Sequence, residues 1–506
     1  MMKRKRFVSV VSLAVGVFCG GVLAEKAHAV KPPISEDRQI DSLQRNVPAE
    51  AANADLEMLH KIMVEMHPGL NIYATPKQFA TLVEHSRVQA GDTIKLREFF
   101  MRCARITDFV RCGHTYASVP LACQMKLQYA TKMFPVPLLF IGQKAYVNHH
   151  QAKIPCGAEV LSINSVSMDE IVQVLMPLVT GDGYVNTFRY QFLGEMFSIS
   201  YATAFGETKE FQVQYRTLKG EMNTTKVTGV SSIRLEQLME SVAMGGQQNE
   251  AYRMSRPRED TVLMAIDTFD NGQGSPPFRA YRRLVTKAFA MMHQTDAITN
   301  LILDLRQNDG GYTRSEMFLY SFLANKPFKE MSSGQTNRNS IAFRELLSRN
   351  YQSRGVIKYF DRRLQREMVA EDGQTWELQD EWIVHGVPSE HRFKGNVYVL
   401  TGGRTHSAAS AICTRLKEHG SAVFIGEETG GVEGVFTAGT TLYYELPNTG
   451  VELAVPILKY NNLMTMPKDA GRGIVPNHKV SIRPEDLVSG EDRVLDFTLE
   501  LIEDHE

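Results

Sequence analysis

The stretch that most constrains the fold is residues 396–431, NVYVLTGGRTHSAASAICTRLKEHGSAVFIGEETGG. Val397, Tyr398, Val399 and Leu400 make a short unbroken apolar run, which reads as a buried strand. The chain breaks at Gly402 and Gly403 and restarts at Ser407, after which Ala408, Ala411, Ile412 and Leu416 recur at helical spacing. A second strand at 422–425 runs into a glycine-bearing turn. The same alternation starts earlier, with a strand at 262–266, an amphipathic helix at 278–292 and a strand at 301–305. Strand, helix and strand in that order make a parallel, right-handed βαβ unit, so an α/β fold is expected from residue 260 to the end.

The rest of the chain reads differently. Residues 1–6 carry four positive charges, 7–24 are almost wholly apolar, and Ala27-His28-Ala29 offers a small-x-small cleavage site. This pattern predicts a signal peptide over 1–29, an exported mature protein that is periplasmic or secreted, and a mobile leader over 30–51. Three helical patterns follow within an N-terminal helical domain over 52–118. The second is announced by Thr75-Pro76-Lys77-Gln78, which combines a cap, a first-turn proline and a capping-box glutamine. Residues 119–219 read as a β-rich module whose strand, turn and helix at 157–178 suggest a PDZ-like unit. Residues 220–259 are polar and read as a linker, and 327–394 as a mixed insertion, either a lid or an inhibitory segment. A hairpin is expected about the turn 447–450, a loop over 471–477 and a closing helix near 493–502.

Composition excludes some classes of partner. A net charge of −1 gives no reason to expect nucleic acid, and no apolar run after the leader is long enough to span a bilayer. Without Cys19 of the signal peptide, Cys103, Cys112, Cys123, Cys156 and Cys413 remain. That number is odd, so at least one stays unpaired within the chain. No zinc-type spacing occurs among them, and Cys103, Cys112 and Cys123 are near enough in sequence to be disulfide candidates.

Chemistry is expected at the carboxyl ends of the parallel strands. One such end leads into Gly310-Gly311 and another into Ser407. A serine in the first turn of a helix serves either as a cap or as a nucleophile among converging backbone N–H groups. In the second case the N–H groups of Gly311 and Ala408 form the oxyanion hole. Of the fourteen histidines, His406 adjoins the serine, but neighbouring side chains usually diverge. His114, in an extended segment after the helical domain, reads as structural by default.

LILDLRQNDGG (301–311), GGRTHSAAS with HGSAVFIGEETGG (402–431) and GRGIVPN (471–477) resemble the serine peptidase family of the C-terminal processing, or tail-specific, peptidases and the tricorn core protease. DLEMLHKIMVEMHPGLNIYATPKQF (55–79) and CGHT (112–115) resemble the N-terminal domain of its histidine-containing branch, and GAEVLSIN (157–164) its PDZ-like module. The resemblance implies a ClpP/crotonase-like catalytic core and an endopeptidase that acts on protein or peptide chains without metal or organic cofactor. Ser407 matches the nucleophile and Gly311 the oxyanion glycine. Val432 stands where the processing branch has its lysine, so the tricorn-like branch is implied, with His114 as base. For the acid that orients the imidazole, Asp469 is the first candidate and Glu428 the second. Asn477 stands where the family has aspartate. Domains resembling this family also bind apolar ligands, which leaves a non-catalytic ligand- or peptide-binding protein on the same scaffold as the alternative.

Overall fold

The computed structural model describes residues 42–504 apart from 246–249, 273–274, 349–353, 372–374 and 463–469. The expected signal peptide and the start of the expected leader lie outside the described residues. From residue 46 that leader is ordered: Asn46–Pro48 is a strand and helix α1 (Ala49–Met66) follows directly, with Val47, Ala49 and Ala52 buried.

Helix α1 is followed by α2 (Pro76–His85) and α3 (Leu96–Phe109). The capping box of α2 forms as its sequence requires: Gln78 N–H donates to Thr75 Oγ1 at 3.3 Å, and Thr75 N–H donates to Gln78 Oε1 at 2.9 Å. Leu56, Leu59, Phe79 and Phe99 from these helices share a core with Leu442, Tyr444, Leu453 and Val455, more than 300 residues later. Strand β1 (Tyr116–Ser118) leaves the helices immediately after His114.

An antiparallel sheet runs in the order Leu138–Ile141, Lys144–Val147, Glu159–Ile163, Glu210–Arg216, Met222–Thr228. Two expectations fail here. The region read as β-rich up to residue 215 contains α4 (Thr187–Phe205), a helix apolar on most sides and packed against Leu138 and Leu139. It is buried nearly all round, so its sequence has no polar stripe to betray a helical period. The expected linker 220–259 contains the edge strand Met222–Thr228, a helix at Ser232–Met239 and the strand Tyr252–Arg258. Most residues of Met222–Thr228 are exposed on both faces, so no hydrophobic alternation marks the strand.

The second half is built on a six-stranded sheet. Its order is Tyr252–Arg258, β2 (Thr261–Ile266), β3 (Asn300–Asp304), β4 (Asn396–Thr401), β5 (Val423–Gly426), His478–Lys479, parallel from β2 onward. Leu301, Leu303 and Val399 face α5 (Pro276–His293) and α6 (Ala408–Glu418), while Ile302, Tyr398 and Leu400 face the C-terminal helix Arg493–Asp504. Both faces are covered, which is why these strands read as unbroken apolar runs.

A hairpin of β6 (Val435–Glu445) and β7 (Glu452–Asn461) then crosses to the N-terminal helices. Three strands of the 327–394 insertion extend its sheet beyond β7, and β1 pairs antiparallel with β7, Tyr116 opposite Ala454. Asp55 of α1 is buried and caps the hairpin turn. Its carboxylate accepts from Asn448 N–H (3.1 Å) and Nδ2 (2.8 Å), and from Thr449 N–H (2.8 Å) and Oγ1 (2.6 Å). This anchoring carries the histidine-bearing segment to the carboxyl edge of the parallel sheet. All five described cysteines are free, so the pairing considered among Cys103, Cys112 and Cys123 is not made. Among the described residues, no helix is long and apolar enough to cross a membrane.

Candidate active site

The loops after β3 and β4 meet as their position in the sheet requires. Ser407 precedes α6 with φ 52° and ψ −121°, a backbone conformation that non-glycine residues rarely adopt. Its side chain accepts no capping hydrogen bond, which removes the reading of Ser407 as an ordinary helix cap. A backbone held this way costs on the order of 1–3 kcal/mol and persists only where its surroundings enforce it. The enforcement is visible. His406 N–H donates to Asn308 O at 3.1 Å, Thr405 Oγ1 donates to Leu305 O at 2.9 Å, and Gly430 N–H donates to Thr405 O at 2.9 Å.

Gly310 lies against the serine with φ 107°. A Cβ there would stand 2.7 Å from Ser407 Cβ and 3.1 Å from Ala408 N, so only glycine fits. Gly311 bridges to Phe269, and a Cβ on it would come within 2.2 Å of Asp270 N. Asn308 braces the loop, its Oδ1 accepting from Gly310 N–H at 2.9 Å and its Nδ2 donating to Ile266 O at 3.0 Å. Gly310 thus lies against Ser407 and the Ala408 N–H at the start of α6, while its neighbour Gly311 packs against Phe269 and Asp270.

His114 is buried beside this loop, its ring 5.2 Å from that of His406 between centroids. The sequence set His406 aside, and it left Asp182 unremarked inside a Gly-Asp-Gly turn. In the structure Asp182 joins the two histidine-bearing segments. Its Oδ2 pairs with His406 Nε2 at 2.9 Å and its Oδ1 accepts from Gly113 N–H at 2.6 Å. The turn that carries it is tied to both sides, with Gly183 N–H donating to Arg111 O and Tyr184 N–H to Gly471 O. Only the folded chain brings these segments together, and an Asp between two glycines reads as an ordinary turn.

Behind His114, His67 Nδ1 accepts from Gly69 N–H at 3.1 Å, which leaves Nε2 to donate to Thr115 Oγ1 at 2.7 Å. Among the described residues, no hydrogen bond joins Ser407 to His114.

Burial governs the charges. It pushes His114 down to about 4, with Asp182 pulling the other way and His406 adding to the drop, so the imidazole is neutral and able to accept a proton at pH 7. Burial alone raises the Asp182 carboxyl, but His406, His114 and the Gly113 N–H outweigh it and hold the group below its ordinary value. The Cys112 thiol is pushed up to about 12 by burial and by Asp182.

Of the two acids expected from sequence, the described one is engaged with other groups. Glu428 is engaged by Arg472, with Nε to Oε1 at 2.8 Å and Nη2 to Oε2 at 2.5 Å, and also accepts from Gly473 N–H. Asp469 lies outside the described residues. Asn477 Oδ1 accepts from Phe424 N–H at 2.8 Å, which gives it a part in holding β5. A cavity of about 600 Å³ opens next to the site, lined by Tyr73, Tyr184, Gln335, Glu433, Val435 and Lys459 among others.

Residues 261–480, which hold Ser407 and both glycines, match peptidase family S41. This S41 segment makes up most of the α/β half of the chain. The match supports a serine-type peptidase; it spans the parallel sheet and the hairpin but begins after His114 and Asp182. Solved structures extend the likeness over nearly the whole chain. Mature CPAF complexed with lactacystin is 13% identical with a TM-score of 0.58, covering 90% of this chain and 98% of that one. A serine-to-alanine mutant of CPAF is 12% identical with a TM-score of 0.59, covering 87% and 94%. At such identities the likeness is one of fold. No curated protein sequence matches the chain.

Proposed function

We propose that this chain is an exported endopeptidase of the tail-specific, tricorn-like type, acting on protein or peptide chains through an acyl-enzyme on Ser407. The observation that carries the reading is the strained, uncapped backbone of Ser407 held between Gly310-Gly311 and a buried imidazole pair. The Ser407 hydroxyl attacks the peptide carbonyl. His114 accepts its proton and returns it to the leaving amine, and the N–H groups of Gly311 and Ala408 take the oxyanion. Asp182 takes the place that Asp469 and Glu428 held in the sequence reading, because it is buried, held in the charged form by His406 and His114, and bonded to the Gly113 N–H beside His114. The sheet at 138–228 is read as a PDZ-like module that presents the chain, and the helices at 49–109 as the domain that delivers the histidine.

A second reading, a binding protein on the same scaffold, is favoured by one observation: the hydroxyl of Ser407 and the ring of His114 are not hydrogen-bonded. Catalytic hydrogen bonds are often long before substrate arrives, so this does not displace the first reading. A fluorophosphonate probe decides between them. Labelling of the wild type that is abolished in Ser407→Ala and strongly slowed in His114→Ala supports the peptidase. An unlabelled wild type that also leaves casein intact supports the binding protein. His406→Ala, measured alongside, separates the base from its neighbour.

A further inference from the structure

Acyl transfer needs an imidazole and a carboxylate beside its serine, and it has no use for a thiol there. This site has one. Cys112 Sγ, a ring nitrogen of His114 and a carboxylate oxygen of Asp182 lie within 4.8 Å of one another, all three residues buried. His406 supplies a fourth donor, its Nε2 2.9 Å from Asp182 Oδ2. Sulfur, two imidazoles and a carboxylate are the donors that zinc accepts in tetrahedral geometry.

We propose that Cys112, His114, Asp182 and His406 form a zinc site that switches the peptidase off when loaded; the metal binding stands by itself, and the inhibition rests on His114 being the base.

Donors around a tetrahedral zinc ion, each at about 2.0–2.3 Å, are separated by roughly 3.5 Å. Gathering Cys112, His114 and Asp182 therefore takes side-chain shifts on the order of 1 Å, and His406 joins them by turning its ring from Asp182 toward the ion. The four come from three segments that Asp182 already ties together, so the backbone is organised before any ion arrives. Asp182 keeps its bond from Gly113 N–H through Oδ1 and turns Oδ2 from His406 to the ion.

The sulfur is prepared as well. Thr437 Oγ1 donates to Cys112 Sγ at 2.8 Å, the outer contact that steadies a coordinated thiolate. Binding exchanges the thiol proton for the metal: the S–H bond breaks, an S–Zn bond forms, and the proton leaves to solvent. A tight recess of about 10 Å³ leads toward the sulfur, so an ion enters only as its walls move. Ile72, Tyr73 and Val435 line both the large cavity and this recess, which ends on Cys112 and Asp182. Arg111 borders that recess, but its guanidinium lies over the Tyr184 ring at 4.4 Å. Once the ring nitrogen of His114 holds zinc, it cannot accept the proton of Ser407.

The test uses the full chain, freed of metal, with cobalt(II) as the spectroscopic probe and zinc as the inhibitor. The expected result is one cobalt per chain with a thiolate-to-cobalt charge-transfer band, displaced by one equivalent of zinc. Fluorophosphonate labelling of Ser407 falls about tenfold or more with that zinc and returns on adding a chelator. Cys112→Ser loses the band and needs about tenfold or more zinc for the same suppression. Failure of the wild type to show the band at one equivalent overturns the site, as does a band or zinc sensitivity unchanged in Cys112→Ser. A chain that binds cobalt through Cys112 but never labels without metal upholds the site and overturns the peptidase reading instead.

Discussion

Replacing Asp182 is the most direct probe of how the active site is held together. The residue is 3% exposed, and each of its two bonds has a buried partner on a different segment, Gly113 N–H at 2.6 Å and His406 Nε2 at 2.9 Å. Asp182→Ala leaves both partners unsatisfied. An orphaned buried polar group costs about 1–3 kcal/mol, so the pair is worth roughly 2–6 kcal/mol, with about 4 kcal/mol the central expectation. Against a typical stability of about 5–15 kcal/mol that is a large loss, readable as a lower urea midpoint. The loss is also shared. Because His406 is one of the two partners, His406→Ala and Asp182→Ala fall short of additivity by about 1–3 kcal/mol in a double-mutant cycle.

The isosteric Asp182→Asn separates structure from chemistry. Its carbonyl oxygen still accepts from Gly113 N–H, but its amide can only donate toward His406. His406 Nε2 must then become the acceptor, which moves the ring proton to Nδ1, a change that imidazole nitrogen chemical shifts report. Labelling of Ser407 is expected to drop by about 10²-fold or more while most of the stability is retained. An Asp182→Ala loss below about 1 kcal/mol, with additive behaviour against His406→Ala, refutes the argument that this carboxylate joins the two segments.

Gly310→Ala should abolish labelling, by about 10²-fold or more, because its φ of 107° and a Cβ 2.7 Å from Ser407 Cβ force the oxyanion loop off the serine; near-normal labelling shows that the loop is not catalytic. Asp55→Ala strips the carboxylate from the hairpin turn at Asn448 and Thr449 and is expected to cost about 3–5 kcal/mol, measured by urea unfolding, with a parallel loss of labelling as the β1–β7 pairing loosens. Glu452 faces Glu445 across the hairpin, and burial followed by that like charge raises its pKa from 4.5 to about 7. The folded chain therefore binds more protons than the unfolded one between those values, so stability is lost as pH rises through that window. Glu452→Gln should raise the melting temperature at pH 8 and leave it nearly unchanged at pH 4.5, with a ceiling of about 3 kcal/mol, and an equal effect at both pH values contradicts this.

The four central strands β2 to β5 were legible because each is a short apolar run, and Ser407 and Gly310-Gly311 follow from strand ends, whereas the polar edge strands Tyr252–Arg258 and His478–Lys479 show no such run. The capping box at Thr75 and Gln78 and the hairpin about 447–450 were legible for the same reason. The illegible elements are those in which local pattern and burial part company. Helix α4 is buried on nearly all sides and shows no period, and the Met222–Thr228 strand buries only Val227 and shows no alternation.

The active site divides along the same line. Ser407 follows a strand that the sequence announces, whereas the groups around its proposed base are set by tertiary contacts between segments far apart in the chain. His114 carried no local signal of its own and entered only through resemblance, and Asp182 entered only through the fold. Yet Asp182 is where the geometry closes, since one carboxylate holds Gly113 on the first histidine segment and His406 on the loop of the serine. The order of dependence follows. Asp55 secures the hairpin, the hairpin pairs with β1, and β1 places His114 where Asp182 can join it to the nucleophile loop. Loss of any one link should thus show first as lost reactivity of Ser407 and only later, under denaturant, as lost fold.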